Sequence, residues 1–316
     1  MMSEEEYQQI RQKLQECFEN KEFTQGLKVA VEIKERFPDR LNSASFNLAY
    51  FHALLDNVEE MVETLEEAYE KGVWWADATI RLFPNYDRLM EISKFINIVE
   101  KFFSRYKKIR ENTSFKWIVH APVNYNSSRK YPVLFALHQG DGNIEETEKL
   151  WKKVLEHDIL LALPQSSEIT GENTYTWLNI DNGLIELNEI YSQIKNEYNI
   201  DINNVFLSGF SIGGNLALEA TFVRPKFSVR GCIAVNPSLI QPDIISKNFI
   251  RARDEGIKCC ILVGTKDPGY KNIKKLIDLL ELESIENKCY EINDLGHAFP
   301  DNLNELIGEM IPFLLN

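Results

Sequence analysis

Val205-Phe206-Leu207-Ser208-Gly209-Phe210-Ser211-Ile212-Gly213-Gly214-Asn215-Leu216-Ala217-Leu218 is the stretch whose reading decides the fold. It begins as an apolar run rich in strand formers, passes through Gly-x-Ser-x-Gly-Gly, and leaves with helical spacing. A strand turned directly into a helix forces its apex residue, Ser211, into a strained backbone conformation. Side chains two residues before and two after the apex would collide, which accounts for Gly209 and Gly213. Such a turn lifts the Ser211 hydroxyl above the end of a sheet. It also aims the Ile212 amide where charge on a reacting oxygen would gather. That geometry suits a nucleophile.

Outward from this turn, apolar runs alternate with helical stretches over about residues 113–316. Strands are expected at 115–120, 132–138, 159–163, 204–208, 231–236, 258–263 and 288–292. Helices are expected at 145–157, 183–198, 214–221, 270–282 and 301–315. The alternation predicts an α/β class: a mostly parallel sheet flanked by helices on both faces. In such sheets ligands bind beyond the carboxyl ends of the strands.

Four loops at those ends carry chemistry. His138-Gln139-Gly140-Asp141-Gly142 can turn a backbone amide toward the site as a second oxyanion donor, with Gly140 the first choice and Gln139 the second. Ser211 follows the strand over 204–208. Asp267, in Gly264-Thr265-Lys266-Asp267-Pro268, can accept from a histidine ring nitrogen and fix its tautomer. His297, in Gly296-His297-Ala298-Phe299, follows both at a strand end. Nucleophile, acid and base thus occur in the order Ser211, Asp267, His297. Of the five histidines, His52, His120 and His157 read as structural, and His138 is expected to prop its loop or edge the substrate.

These residues resemble those of an α/β-hydrolase, and within that superfamily the phospholipase/carboxylesterase group of serine esterases. Leu137-His138-x-Gly is similar to its oxyanion loop, and Gly209 to Gly214 with Ala217-Leu218 to its nucleophile turn. Gly231-Cys232-Ile233-Ala234-Val235-Asn236-Pro237-Ser238, Gly264-Thr265-x-Asp267 and Gly296-His297 match later landmarks in order. Gln139 departs from the glycine usual after the loop histidine. Asn236 stands where serine is frequent and is expected to alter only the rim. Trp177 resembles the tryptophan of an acyl-pocket loop, so it is assigned to substrate contact, with a buried anchor as the alternative.

The resemblance implies a serine hydrolase that cleaves small acyl esters through an acyl-enzyme on Ser211, with no metal and no organic cofactor. A peptidase or amidase of the prolyl-oligopeptidase-like branch is the alternative, as is a partner-binding protein whose hydrolase domain is vestigial.

Residues 1–108 read differently. Their apolar spacing is helical throughout, and Gly26, Ala30 and Ile33 recur 35 residues later as Met61, Leu65 and Ala68. The pattern resembles a degenerate tetratricopeptide repeat, with Ser45 where an aromatic is expected. An all-α, repeat-like domain over 1–108 therefore precedes the hydrolase domain over 109–316. Trp74 and Trp75 are expected to be core at the edge of the array, or the seam with the next domain, and not a ligand box. Such a domain suits a protein partner or self-association.

The net charge of −13 argues against a nucleic-acid or anionic-membrane partner. No apolar run follows Met1 and none is long enough to insert in a membrane, so a cytoplasmic setting is expected. The five scattered cysteines fit buried thiols, not a disulfide framework or a zinc site.

Overall fold

The computed structural model describes residues 4–223 and 226–316. Two compact units make up the chain: Met1–Asn112 with Ile169–Glu172, and Thr113–Glu168 with Asn173–Asn316.

In the first unit four helices follow one another: α1 (Glu4–Glu19), α2 (Phe23–Arg36), α3 (Leu41–Leu54) and α4 (Val58–Glu70). Each packs on the next, and α7 (Ser93–Arg110) packs on α4. Gly26, Ala30, Ile33, Met61, Leu65 and Ala68, the positions of the weak repeat, are all buried. Between α4 and α7 the chain makes only two single turns, α5 (Asp77–Ile80) and α6 (Tyr86–Leu89). Pro84 lacks an amide donor and Asn85 sits at φ 57°, so neither turn can extend into the other. Trp74 and Trp75 are core residues, and the Trp75 indole donates to Asn42 Oδ1 at 2.7 Å. The Ala76 amide donates to the Thr170 carbonyl at 2.8 Å, which is how 169–172 joins this unit.

The second unit runs β1 (Lys116–His120), β2 (Tyr131–Leu137), α8 (Ile144–Trp151) and β3 (Leu160–Gln165). Past β4 (Ile169–Gly171), which belongs to the first unit, come β5 (Thr174–Tyr175), α9 (Ile180–Glu197), β6 (Ile200–Phe210) and α10 (Ile212–Leu218). Then follow β7 (Gly231–Val235), α11 (Pro242–Ile245), α12 (Phe249–Asp254) and β8 (Lys258–Gly264). α13 (Tyr270–Leu282), β9 (Glu286–Ile292) and α14 (Leu303–Leu315) complete it.

Seven strands form one sheet in the order β1-β3-β2-β6-β7-β8-β9. All pairings are parallel except that of the edge strand β1 with β3. β2 shows why its sequence is continuously apolar. Val133, Phe135 and Leu137 face the layer of α9, α10 and α13, while Leu134 and Ala136 face the layer of α8 and α14. Both faces are dry, and each fully buried side chain of this size contributes roughly 1.5–3 kcal/mol.

Several elements differ from the expected bounds. The helix expected over 145–157 ends at Trp151 and tightens into a 3-10 turn over Lys152–His157, closed by Asp158 at φ 57°. β6 begins four residues early, because Ile200 pairs with Tyr131 across a register shift. The helix expected over 214–221 starts at Ile212 and widens into a π turn over Glu219–Val223. β4 and β5 lie inside what reads as loop, since three and two residues are too few to show alternation.

Candidate active site

Ser211 lies between β6 and α10 at φ 57° and ψ −122°, a strained conformation for any residue with a side chain. Two glycines make the turn possible. A Cβ on Gly209 would stand 2.8 Å from the Gly214 nitrogen, and one on Gly213 would overlap the His138 carbonyl and stand 2.7 Å from that of Leu137. The backbone of the turn is held by two further bonds. The Ser211 amide donates to the Val235 carbonyl at 3.0 Å, and the Ser238 amide donates to the Ser211 carbonyl at 3.1 Å.

His297 and Asp267 meet Ser211 from the next loops. His297 Nε2 is 2.8 Å from Ser211 Oγ, and His297 Nδ1 is 2.6 Å from Asp267 Oδ2. Asp267 is buried, and its other oxygen accepts from the Gly269 amide at 2.6 Å. Both carboxylate oxygens therefore have partners, and the carboxylate has no freedom to turn away. His297 is exposed on its outer side, and its ring packs on Phe210 at 4.8 Å between centroids. Phe210 in turn packs on Phe299 at 4.4 Å. A hydroxyl, an imidazole and a carboxylate in line can pass one proton from the hydroxyl to the ring while the carboxylate stabilises the cation that forms.

The loop after β2 is built around buried His138. Its Nε2 accepts from the Ser166 amide at 3.2 Å, so its proton sits on Nδ1, which donates to the Gln139 carbonyl at 2.8 Å. Burial pushes this imidazole down to about 4, the bond to Gln139 pulling the other way. It is neutral wherever the protein is folded near neutral pH. Behind it, the buried carboxyl of Glu186 accepts from the amide and hydroxyl of Ser167 and from Asn182 Nδ2. Burial raises the Glu186 pKa, and those donors lower it.

Of the two residues assigned to substrate contact, neither lines an open site. Trp177 is fully buried, donates from Nε1 to the His138 carbonyl at 3.1 Å, and stacks on the His138 ring at 4.8 Å. It is an anchor, because its side chain is buried and its one donor is spent on a backbone carbonyl. His138 is likewise closed off by its own bonds.

The roles of two residues were not legible in the sequence. Ser238 Oγ lies 3.4 Å from Ser211 Oγ. Asn236, expected at the rim, is fully buried, and its amide bonds the backbone of Gly264 and Ala298. The Asn-Pro pair directly after a strand was the available signal.

The strand order, the strained turn after β6 and the helices on both faces define the second unit as an α/β-hydrolase fold. No family model matches the chain. An uncharacterized protein from Bacillus cereus superposes with a TM-score of 0.56 at 24% identity, covering 98% of each chain. Esterase PE8 superposes with a TM-score of 0.50 at 16% identity over 63% of this chain and 99% of its own. The thermophilic esterase Est2 from the Planctomycetes species Thermogutta terrifontis gives 0.50 at 14%, over 64% of this chain and 90% of its own. In sequence, a bifunctional acetylxylan esterase/xylanase from Neocallimastix patriciarum is 27% identical over 111 residues, 32% of this chain. The chain spans 15% of the length of that curated relative. Among the described residues, no helix is long and apolar enough to cross a membrane.

Proposed function

We propose that the chain is a serine esterase that cleaves small carboxylic esters through an acyl-enzyme on Ser211. The observation that carries this reading is the unbroken line of contacts from Asp267 through His297 to Ser211. The esterases among its structural neighbours and the acetylxylan esterase/xylanase relative point the same way.

In this mechanism Ser211 Oγ attacks the acyl carbonyl as its proton passes to His297 Nε2, and Asp267 steadies the imidazolium. The tetrahedral oxyanion collapses, the C–O bond to the alcohol breaks, and the alcohol leaves with the proton from His297. Water then attacks the acyl-enzyme, giving its proton to His297. The acid departs as that proton returns to Ser211.

The oxyanion donors are assigned to the amides of Ile212 and Gly140. Ile212 opens α10, so its amide has no acceptor four residues back in the helix. The Gly140 amide belongs to the same planar trans peptide as the Gln139 carbonyl. That carbonyl is held by His138 Nδ1 and, at 3.1 Å, by the Gly142 amide. With the carbonyl fixed toward them, the Gly140 amide points the opposite way. Gly140 is therefore the preferred donor and Gln139 the second choice.

The division into a helical domain over 1–108 and a hydrolase domain over 109–316 belongs to the same reading. So do a cytoplasmic setting and a role for the helical domain in holding a protein partner or a second copy.

Turnover of p-nitrophenyl acetate and butyrate, compared with aminoacyl p-nitroanilides, tests the bond class. Hydrolysis of the esters by wild type, abolished in Ser211→Ala, is the expected result. Hydrolysis of the anilides alone would replace the esterase by a peptidase.

A further inference from the structure

We propose that Asn236 is a positioning residue that holds nucleophile, acid and base in register. It touches no reacting atom and acts through the three loops that carry them. The inference rests on the esterase reading above.

Asn236 follows β7 at φ 39°, a region that asparagine tolerates better than most residues. It is fully buried and all its bonds run to other segments. Its amide donates to the Leu262 carbonyl at 2.8 Å. Its Oδ1 accepts from the Gly264 amide at 2.8 Å, and the Gly264 carbonyl in turn accepts from the Asp267 amide at 3.0 Å. Its Nδ2 donates to the carbonyl of Ala298, the neighbour of His297, at 2.7 Å. One side-chain amide thus bridges the acid loop and the base loop.

The residues beside it complete the arrangement. Val235, just before it, receives the Ser211 amide, and Ser238, two residues on, donates to the Ser211 carbonyl. The four-residue segment from Val235 to Ser238 is therefore bonded to the nucleophile's backbone and to both partner loops. The His297 loop is also held ahead of the histidine, where the Lys266 amide donates to the Leu295 carbonyl at 2.9 Å. Asn236 holds the side that follows it. Contacts of 2.8 and 2.6 Å at the two nitrogens of one imidazole leave little slack. A misplacement on the order of 1 Å costs about 10²-fold in rate.

Asn236→Asp keeps the size of the side chain and the oxygen that faces Gly264, but turns an acceptor toward the Ala298 carbonyl. Asn236→Ser removes both links. Steady-state kinetics on p-nitrophenyl acetate would be measured for both variants, alone and in a His297→Ala background, on samples whose thermal unfolding is still cooperative. The expected result is a kcat lower by about 10²-fold with KM within about twofold. The loss should disappear in the His297→Ala background, where there is no base left to position. A kcat within about threefold of wild type, or the same loss with and without His297, would overturn the proposal. If Asn236→Asp does not fold, Asn236→Ser carries the same comparison. Ser211-dependent turnover by wild type with an unaffected Asn236 variant removes this inference alone. Absence of Ser211-dependent turnover in wild type removes the esterase reading and this inference with it.

Discussion

In the first unit Asn42, Ser45, His52 and Asp77 each bury a side-chain polar atom with no hydrogen-bond partner among the described residues. In the second unit the side chains of His138, Glu186, Asn236 and Asp267 are buried, and both polar ends of each are bonded. The second unit has its own exceptions in Asn215 Oδ1 and His120 Nε2; the latter lies 3.3 Å from Glu148 Oε1 but too poorly aligned for a hydrogen bond. A buried polar group is costly unless paired, and once paired it fixes whatever it touches. The contrast is therefore one of purpose. The helical unit coheres through apolar contacts that tolerate a few orphaned groups, whereas the α/β unit uses its buried polar groups to set loops to within a bond length.

The largest expected effect compares two glycines. A methyl group at Gly213 meets carbonyl oxygens of the backbone, which cannot give way, whereas one at Gly26 meets the ring of Phe51, which can tilt. Gly213→Ala should lower stability by about 3 kcal/mol or more, and Gly26→Ala by about 1–2 kcal/mol, read from urea unfolding. Equal losses would erase the distinction between rigid and adaptable packing.

A smaller effect follows from His138. The unfolded chain takes up a proton below about pH 6.5, while the buried imidazole resists until about 4. Stability therefore falls as pH drops through that window, by about 2 kcal/mol at pH 4.5 from this residue. His138→Asn should be the less stable protein at pH 7.5, yet lose about 2 kcal/mol less than wild type on acidification to 4.5. His52, whose pKa burial also lowers, titrates in both proteins and cancels. Parallel losses would show that His138 is not neutral and buried as described.

The smallest effect tests the orphaned groups. Ser45→Ala removes a buried, unbonded hydroxyl from α3 and should raise stability by about 0.5–1 kcal/mol. Thr147→Ala removes a hydroxyl that donates to the Asn143 carbonyl at 2.7 Å and should lower it by about 1 kcal/mol. Matching signs would mean that the two units do not differ in this respect.

The parts legible in the sequence were those where local pattern and tertiary demand coincide. The β6–α10 turn announced itself because steric exclusion leaves only glycine at 209 and 213, and strands buried on both faces have to be continuously apolar. The order Ser211, Asp267, His297 was legible because each follows a strand. What stayed hidden depends on long-range bonds. Nothing local distinguishes a Trp177 that faces substrate from one whose indole nitrogen finds a carbonyl 39 residues away. Asn236 looked like a rim residue because its partners lie 28 and 62 residues further on. β4 and β5 were each too short for any periodicity to register.

The central claim is that His297 and Asp267 make Ser211 a nucleophile. Intact-mass measurement after exposure to a fluorophosphonate tests it most directly, on wild type, Ser211→Ala and His297→Ala. The account predicts one adduct on wild type, none on Ser211→Ala, and labelling slowed by about 10³-fold or more on His297→Ala. A folded wild-type protein that takes up no adduct, or an adduct that persists in Ser211→Ala, would contradict it.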